Sequence, residues 1–276
     1  MTPIKGWKRN QNHSDENQWF DICVHLHNLR FNVLAPMNLL RCLALAFACF
    51  SSSAAWAGPT VVYVSESGEK RIVVYALNET TGELTRTGAV DLPGAPGALA
   101  ISGDRRHVYA AIRLDRQFAT LTTDRATGLL KNPVLSPGSN ASFLHVDKTG
   151  NWLLAAAYGE GVVTVNRITK GVISGEPVVT VATGPKAHSI QTDPANRFVF
   201  VPHVGELNKV EQLRFDAKSG ALKSNTPPSM AGGAGQGPRH MQFHPNGRWV
   251  YFVNEQGQSV SRCDYNANAG TLTLRQ

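Results

Sequence analysis

Apolar and polar positions alternate along this chain over short runs, and the runs recur. The strongest are TVVYVSES (60–67), HVYAAIRL (107–114), WLLAAAYG (152–159), FVFVPHVG (198–205) and WVYFVNEQ (249–256). Tyr63, Tyr109, Leu154, Phe200 and Tyr251 hold the same place in each, at intervals of 46, 45, 46 and 51 residues. Alternation over short β-branched and aromatic runs is the mark of a β-strand. A polar turn precedes the strand: GDRR (103–106), KTGN (148–151), PANR (194–197) and PNGR (245–248). A second alternating run follows, as in RIVVYALN (71–78) and VVTVNRIT (162–169). It ends in a turn of the form D/N-x-x-[TS]-G-x-L, seen in TTGEL (80–84), DRATGLL (124–130) and DAKSGAL (216–222). The last copy, YNANAGTL (265–272), has Ala269 at the Thr/Ser place. Each unit reads as four short strands joined by tight turns. That unit length predicts an all-β fold, a β-propeller with four-stranded blades that bury their faces against one another. A chance series of hairpins or a sandwich is the alternative, and the held spacing disfavours it. The repeats fill residues 59–276 and supply about four complete units plus the strands that open and close a fifth.

The first 57 residues carry none of this pattern. From Met37 the chain reads MNLLRCLALAFACFSSSAAWAGP: one basic residue (Arg41), an apolar run over 43–50, then small residues ending Ala55-Trp56-Ala57. This is the layout of a secretory signal peptide over 37–57, cleaved after Ala57, and it predicts a periplasmic or secreted protein. The run is too short to span a bilayer. An uncleaved N-terminal anchor is one alternative. A lipid anchor at Cys49 is another, although Ala46 and Phe47 fit the required motif poorly. Residues 1–36 are polar and irregular and read as an over-extended, disordered start upstream of Met37. Of the four cysteines, only Cys263 lies beyond the cleavage point, so no disulfide framework accompanies export. The formal charge of +7 is spread without any run of Lys or Arg. It suits an anionic small molecule and requires no nucleic acid, and no membrane once the signal is removed.

One hairpin carries more polar chemistry than a hairpin needs. GPRHMQFHPNGRWVYFVNE (237–255) surrounds its turn with an Arg, two His and a Glu. Superposing the repeats puts Gly97, Ser142, His188 and Arg239 at one place, twelve positions before the recurrent aromatic or leucine. Ser67, Arg113, Tyr158, Val204 and Glu255 share the place four positions after it. Residues 239 and 255 are symmetric about Gly247, so they should face each other at the open end of an antiparallel hairpin. His188, Arg239 and Glu255 should then gather at one rim of neighbouring blades, near the channel mouth.

An Arg binds carboxylate or phosphate or steadies an oxyanion, a Glu can take a proton from water, and a His can donate or accept near neutral pH. Glu255, Arg239 and His188 are therefore the candidate catalytic residues. His240, Asn254, Arg113 and Tyr158 are the candidate substrate-binding ones. Each has a plainer reading. Arg239 and Glu255 could be a cross-strand ion pair that only pins the blade. His188 could be a satisfied buried histidine. His240 should point away from Arg239 by strand alternation, and His244 before Pro245 reads as a turn residue. No Gly-x-Ser-x-Gly is present, and no Cys or Asp stands at ligand spacing from His240 and His244, so neither a serine nucleophile nor a metal is expected. The tract AGGAGQG (231–237) lacks the strand-to-helix setting of a phosphate loop and reads as a connector.

With KAHSIQTDPANRFVFV before it, GPRHMQFHPNGRWVYFVNE resembles the lactonase family of seven-bladed β-propellers, which includes 6-phosphogluconolactonases and carboxy-muconate cyclases. The resemblance covers about residues 60–276. It implies metal-independent hydrolysis of a lactone, with no cofactor, by a His, an Arg and a Glu that fall here on His188, Arg239 and Glu255. It implies a small anionic lactone as substrate and a seven-bladed ring, of which about five blades are present, as if the C-terminal part were missing. The family's further Arg from a later blade has no counterpart here. A monomer is expected, with edge-mediated association open to it because the ring is incomplete. The export signal departs from the cytosolic sugar-phosphate members. A non-catalytic exported propeller and an inactive fragment remain the competing readings.

Overall fold

The computed structural model describes residues 58–276. The proposed over-extended start and signal peptide lie outside the described residues. Five antiparallel sheets follow one another along the chain, as the repeat predicts. Blade 1 holds β1 (Val61–Glu66), β2 (Arg71–Leu77) and β3 (Leu84–Asp91). Blade 2 holds β4 (Pro96–Ile101), β5 (His107–Ile112), β6 (Gln117–Thr123) and β7 (Leu130–Pro137). Blade 3 holds β8 (Phe143–Val146), β9 (Trp152–Ala157), β10 (Val162–Thr169) and β11 (Val172–Ala182). Blade 4 holds β12 (Gln191–Thr192), β13 (Phe198–His203), β14 (Lys209–Asp216) and β15 (Ala221–Ala231), with a 3-10 turn at Gly205–Leu207 between β13 and β14. Blade 5 holds β16 (Pro238–Phe243), β17 (Trp249–Asn254), β18 (Ser259–Asn266) and β19 (Thr271–Leu274).

Blade 1 is the incomplete unit beside the four complete ones that the repeat count predicts. Its β1 corresponds to β5, β9, β13 and β17, so among the described residues the strand that opens every other blade has no counterpart in it. The other four sheets each have four strands in chain order across the sheet.

The hydrophobic core lies between blades rather than within them. One apolar cluster joins Tyr63, Ile72 and Val74 of blade 1 to Leu99, Val108 and Ala110 of blade 2. A second joins Tyr109 and Phe118 to Leu144 and Leu153. A third joins Trp152 and Leu154 to Val199 and Val201, and a fourth joins Phe198 and Phe200 to Val250 and Phe252. A blade covered on both faces loses the apolar-in, polar-out alternation, and β9 and β13 are indeed buried at every position. The last strand of a blade keeps that alternation, as in β11. On blade 5 the face away from blade 4 is open, with Val253 53% and Val260 60% exposed.

Side chains near the start of each second strand lock a blade to the turn of the next. Tyr63 Oη donates to Gly128 O at 2.8 Å, Tyr109 Oη to Gly171 O at 2.9 Å, and Trp152 Nε1 to Ala217 O at 2.9 Å. The fit leaves no room for a side chain in the turn. A Cβ at Gly220 would stand 2.7 Å from the Trp152 ring, and one at Gly270 would stand 2.1 Å from the Phe198 ring. At Gly128, Gly220 and Gly270 the glycine of the D/N-x-x-[TS]-G turn is thus required twice, by its positive φ and by a close approach, whereas Gly82 is required by its φ alone.

Candidate functional site

The blade 5 hairpin is held at both ends by backbone geometry. At the turn, Gly247 N donates to His244 O and Asn246 N donates to His244 Nδ1, at 2.9 and 3.1 Å. Asp147 and Asp193 fill the same place in blades 3 and 4, where their carboxylates accept from the backbone of the turn. His244 therefore does an aspartate's work as a turn acceptor. At the open end, Glu255 N donates to Gly237 O at 2.8 Å. Glu255 therefore stands opposite Gly237 and not opposite Arg239 as the symmetry about Gly247 predicts, but the two side chains still meet: Arg239 Nε donates to Glu255 Oε2 at 3.1 Å.

The pairing between β16 and β17 slips between Pro238 and His240, which makes Arg239 an extra residue. Such a β-bulge breaks the two-residue alternation of side chains. Its effect is to overturn the expectation that His240 points away from the site. The His240 ring lies 5.1 Å from that of His188 and 5.5 Å from that of Phe143.

His188 comes from the segment just before β12. Its backbone N donates to Pro202 O at 3.0 Å, and the adjacent Ala187 bridges to His203. The imidazole is buried between three blades. Tyr158 of blade 3 meets it edge-on at 5.4 Å, His240 of blade 5 meets it at 5.1 Å, and its Nε2 stands 4.0 Å from Glu255 Oε2. The side chains of His188, Arg239 and Glu255 are 9%, 26% and 39% exposed. The group therefore descends from an accessible carboxylate to a buried ring, an arrangement that can hold a ligand against the carboxylate from the solvent side.

Five of the seven sequence-chosen residues, Glu255, Arg239, His188, His240 and Tyr158, come together at this one place. Arg113 and Asn254 do not join them. The Arg113 stem packs over Gly97, and its Nε donates to Asn140 Oδ1 at 3.4 Å, across the junction of blades 2 and 3. Asn254 is 2% exposed, and its amide donates to Gln236 Oε1, Ser259 Oγ and Ser261 Oγ at 3.0, 3.1 and 2.7 Å. It ties β17 and β18 to the preceding loop and does not reach a ligand. His203 holds the same place in blade 4 and does the same job. Its Nδ1 donates to Pro185 O at 2.8 Å, and burial pushes its pKa below the ordinary histidine value.

Two neighbours of the site escaped the sequence reading. Lys186 precedes His188 by two residues, and its Nζ pairs with Glu206 Oε2 at 2.9 Å. That hydrogen bond raises its pKa, and the Glu206 and Glu255 carboxylates add to the effect. Gln256, next to Glu255, donates from Nε2 to Glu255 Oε1 at 2.9 Å. Position beside a chosen residue was the only signal for either. Among the described residues no three His, Cys, Asp or Glu converge in a geometry that could hold a metal ion.

A family model described as "Lactonase, 7-bladed beta-propeller" matches residues 60–276. The chain is 34% identical over 212 residues to a 6-phosphogluconolactonase of Pectobacterium carotovorum, covering 77% of this chain and 63% of the relative. It is also 34% identical over 201 residues to one from Yersinia pestis, covering 72% of this chain and 59% of that one. The chain thus spans about 60% of the length of these curated relatives. Among solved structures, a candidate 6-phosphogluconolactonase from Bacteroides fragilis superposes with a TM-score of 0.71 at 21% identity, over 81% of this chain and 68% of that one. A periplasmic gluconolactonase from Pseudomonas aeruginosa superposes with a TM-score of 0.66 at 20% identity, over 78% of this chain and 66% of that one. At these identities the two structures speak for the fold.

Proposed function

This chain belongs to the lactonase family of seven-bladed β-propellers, and from that membership we propose that the rim of blades 4 and 5 opens the lactone of an anionic sugar acid. The observation that carries the reading is the Glu255 carboxylate set between the Arg239 guanidinium at 3.1 Å and the His188 imidazole at 4.0 Å.

In the proposed reaction Glu255 takes a proton from a water molecule, and the oxygen of that water forms a bond to the lactone carbonyl carbon. Negative charge moves to the carbonyl oxygen, where Arg239 and His188 stabilise it. Losing one such donor typically costs about a hundredfold or more in rate. Collapse of the tetrahedral intermediate breaks the ring C–O bond. The departing alkoxide takes back a proton and leaves a hydroxy acid. His240 and Tyr158 wall the site, and Lys186 with Arg239 favours an anionic substrate. No step calls for a metal or a cofactor. The relatives named 6-phosphogluconolactonase support a sugar-acid lactone.

The signal-like segment over 37–57 supports export, and so does the shared fold with a P. aeruginosa protein described as a periplasmic gluconolactonase. An exported enzyme of this kind would meet unphosphorylated lactones. We expect a monomer.

The test is turnover of glucono-δ-lactone and of its 6-phosphate by the full chain in the presence of a chelator. Opening of either faster than buffer, with at least a tenfold loss in Glu255→Gln, is the expected result. The Arg239–Glu255 pair would also pin the hairpin without any catalysis. Background turnover by a well-folded protein would favour that second reading, of an exported binding propeller.

A further inference from the structure

The proposed reaction leaves one contact of Glu255 unused, the amide of Gln256. Gln256 Nε2 donates to Glu255 Oε1 at 2.9 Å, and Gln256 Oε1 accepts from the backbone N–H of Gly205 at 3.0 Å. A backbone N–H can only donate, so the carbonyl end of the amide must face blade 4 and the NH2 end must face the carboxylate. The neighbouring blade therefore sets the direction of this hydrogen bond. The main chain of Gln256 is anchored as well, since the N–H groups of Gln256 and Gly257 both donate to Gln236 O, at 3.1 and 2.9 Å.

Two glycines make room for the arrangement. A Cβ at Gly237 would stand 1.6 Å from Gln256 Oε1, so the amide lies in space that any other residue there would occupy. Gly205 presents its N–H to Gln256, while a Cβ on it would stand 2.8 Å from Lys186 Nζ. Both have φ in the left-handed region, +66° and +68°.

We infer that Gln256 is a positioning residue. Its amide holds one oxygen of the Glu255 carboxylate so that the other stays toward Arg239 and His188, and it ties that orientation to the blade 4 loop. The inference rests on the reading of Glu255 as the base. An accessible glutamate on a flexible stem otherwise visits several rotamers, and a carboxylate displaced by about 1 Å can lose much of its effect on a bound water.

Gln256→Met keeps the length of the side chain and removes both polar contacts. We expect kcat to fall roughly tenfold, the worth of one hydrogen bond to a solvent-accessible carboxylate, with KM and thermal stability unchanged. Gln256→Asn, too short to span both partners, should behave alike and gives a second reading if the Met variant folds poorly. In a Glu255→Asp background, where the carboxylate is drawn away from the amide, Gln256→Met should have no further effect. An equal loss in both backgrounds would mark general damage and overturn the inference, as would wild-type kcat in both Gln256 variants. If Glu255→Gln retains more than a tenth of the wild-type rate, the assignment of the base fails and the inference goes with it. A crystal structure of Gln256→Met gives a readout independent of turnover. A Glu255 carboxylate that has left Arg239 supports the inference, and one that has stayed in place refutes it.

Discussion

The two ends of the blades obey different rules. At one end the turn between the third and fourth strands of blade 2 is shaped by Asp124 Oδ1, which accepts from Ala126 N and Thr127 N. Asn78 and Asn266 do the same in blades 1 and 5, and Asp216 caps the matching turn in blade 4. Only the short Lys170–Gly171 turn of blade 3 departs from this plan. At the other end, equivalent places hold Gly97, Ser142, His188 and Arg239, or Ser67, Arg113, Tyr158, Val204 and Glu255. Residues repeat where the backbone must be turned and a neighbouring blade received. They diverge at the rim where His188, Arg239 and Glu255 gather. Departure from the repeat is thus the informative signal at the open rim.

The contrast predicts that substitutions at the rim change rate without changing stability, and that those at the turns do the reverse. The largest effect should come from Glu255→Gln, with a fall in lactone turnover of roughly a hundredfold or more at an unchanged melting temperature. A calorimetric scan beside the assay checks both halves. Next comes Asp193→Ala at the turn end. This buried carboxylate accepts from Arg197 N, Phe198 N, Ala195 N and Tyr265 Oη. Its loss leaves several buried donors unmet, and urea unfolding should show about 3 kcal/mol of destabilisation with unaltered KM. Trp152→Phe keeps the ring and deletes the bond to Ala217 O, and the same titration should register about 1 kcal/mol.

The smallest effect concerns pH. His203 lies under the rim, and its folded-state pKa is depressed below the ordinary 6.5, chiefly by burial. The unfolded chain therefore takes up this proton first as pH falls. Stability from the neutral ring is fully present above about pH 6.5 and is lost as pH drops toward the depressed value. Melting temperatures from pH 7.5 to 5 should decline less in His203→Gln than in the unaltered protein. An equal decline would remove His203 from the account.

The propeller was legible because each structural unit is written out again every few dozen residues. The turn chemistry and the pattern of Tyr63, Tyr109 and Phe200 recur in sequence as they recur in space. That Arg239 and Glu255 share the open end of one hairpin was legible too, although the register sets Glu255 opposite Gly237 and leaves Arg239 in the bulge. Three things were not. The bulge at Arg239 cannot be read from alternation, and it brings His240 into the site. Asn254 looks like a ligand residue from its place beside Glu255, yet burial commits its amide to Gln236, Ser259 and Ser261. Lys186 and Gln256 gain their setting from the loop around Gly205, roughly 20 to 50 residues away along the chain, and no local pattern encodes a contact between blades.

Each apolar cluster is shared by two consecutive sheets, and none belongs to one sheet alone. Cooperativity should therefore be carried by the seams, each a near-independent increment of free energy between adjoining modules. Gene rearrangements that excise or duplicate one whole module preserve the form of every seam, whereas a cut through the middle of a module spoils two at once. Such a molecule tolerates changes in module number far more readily than changes in module interior.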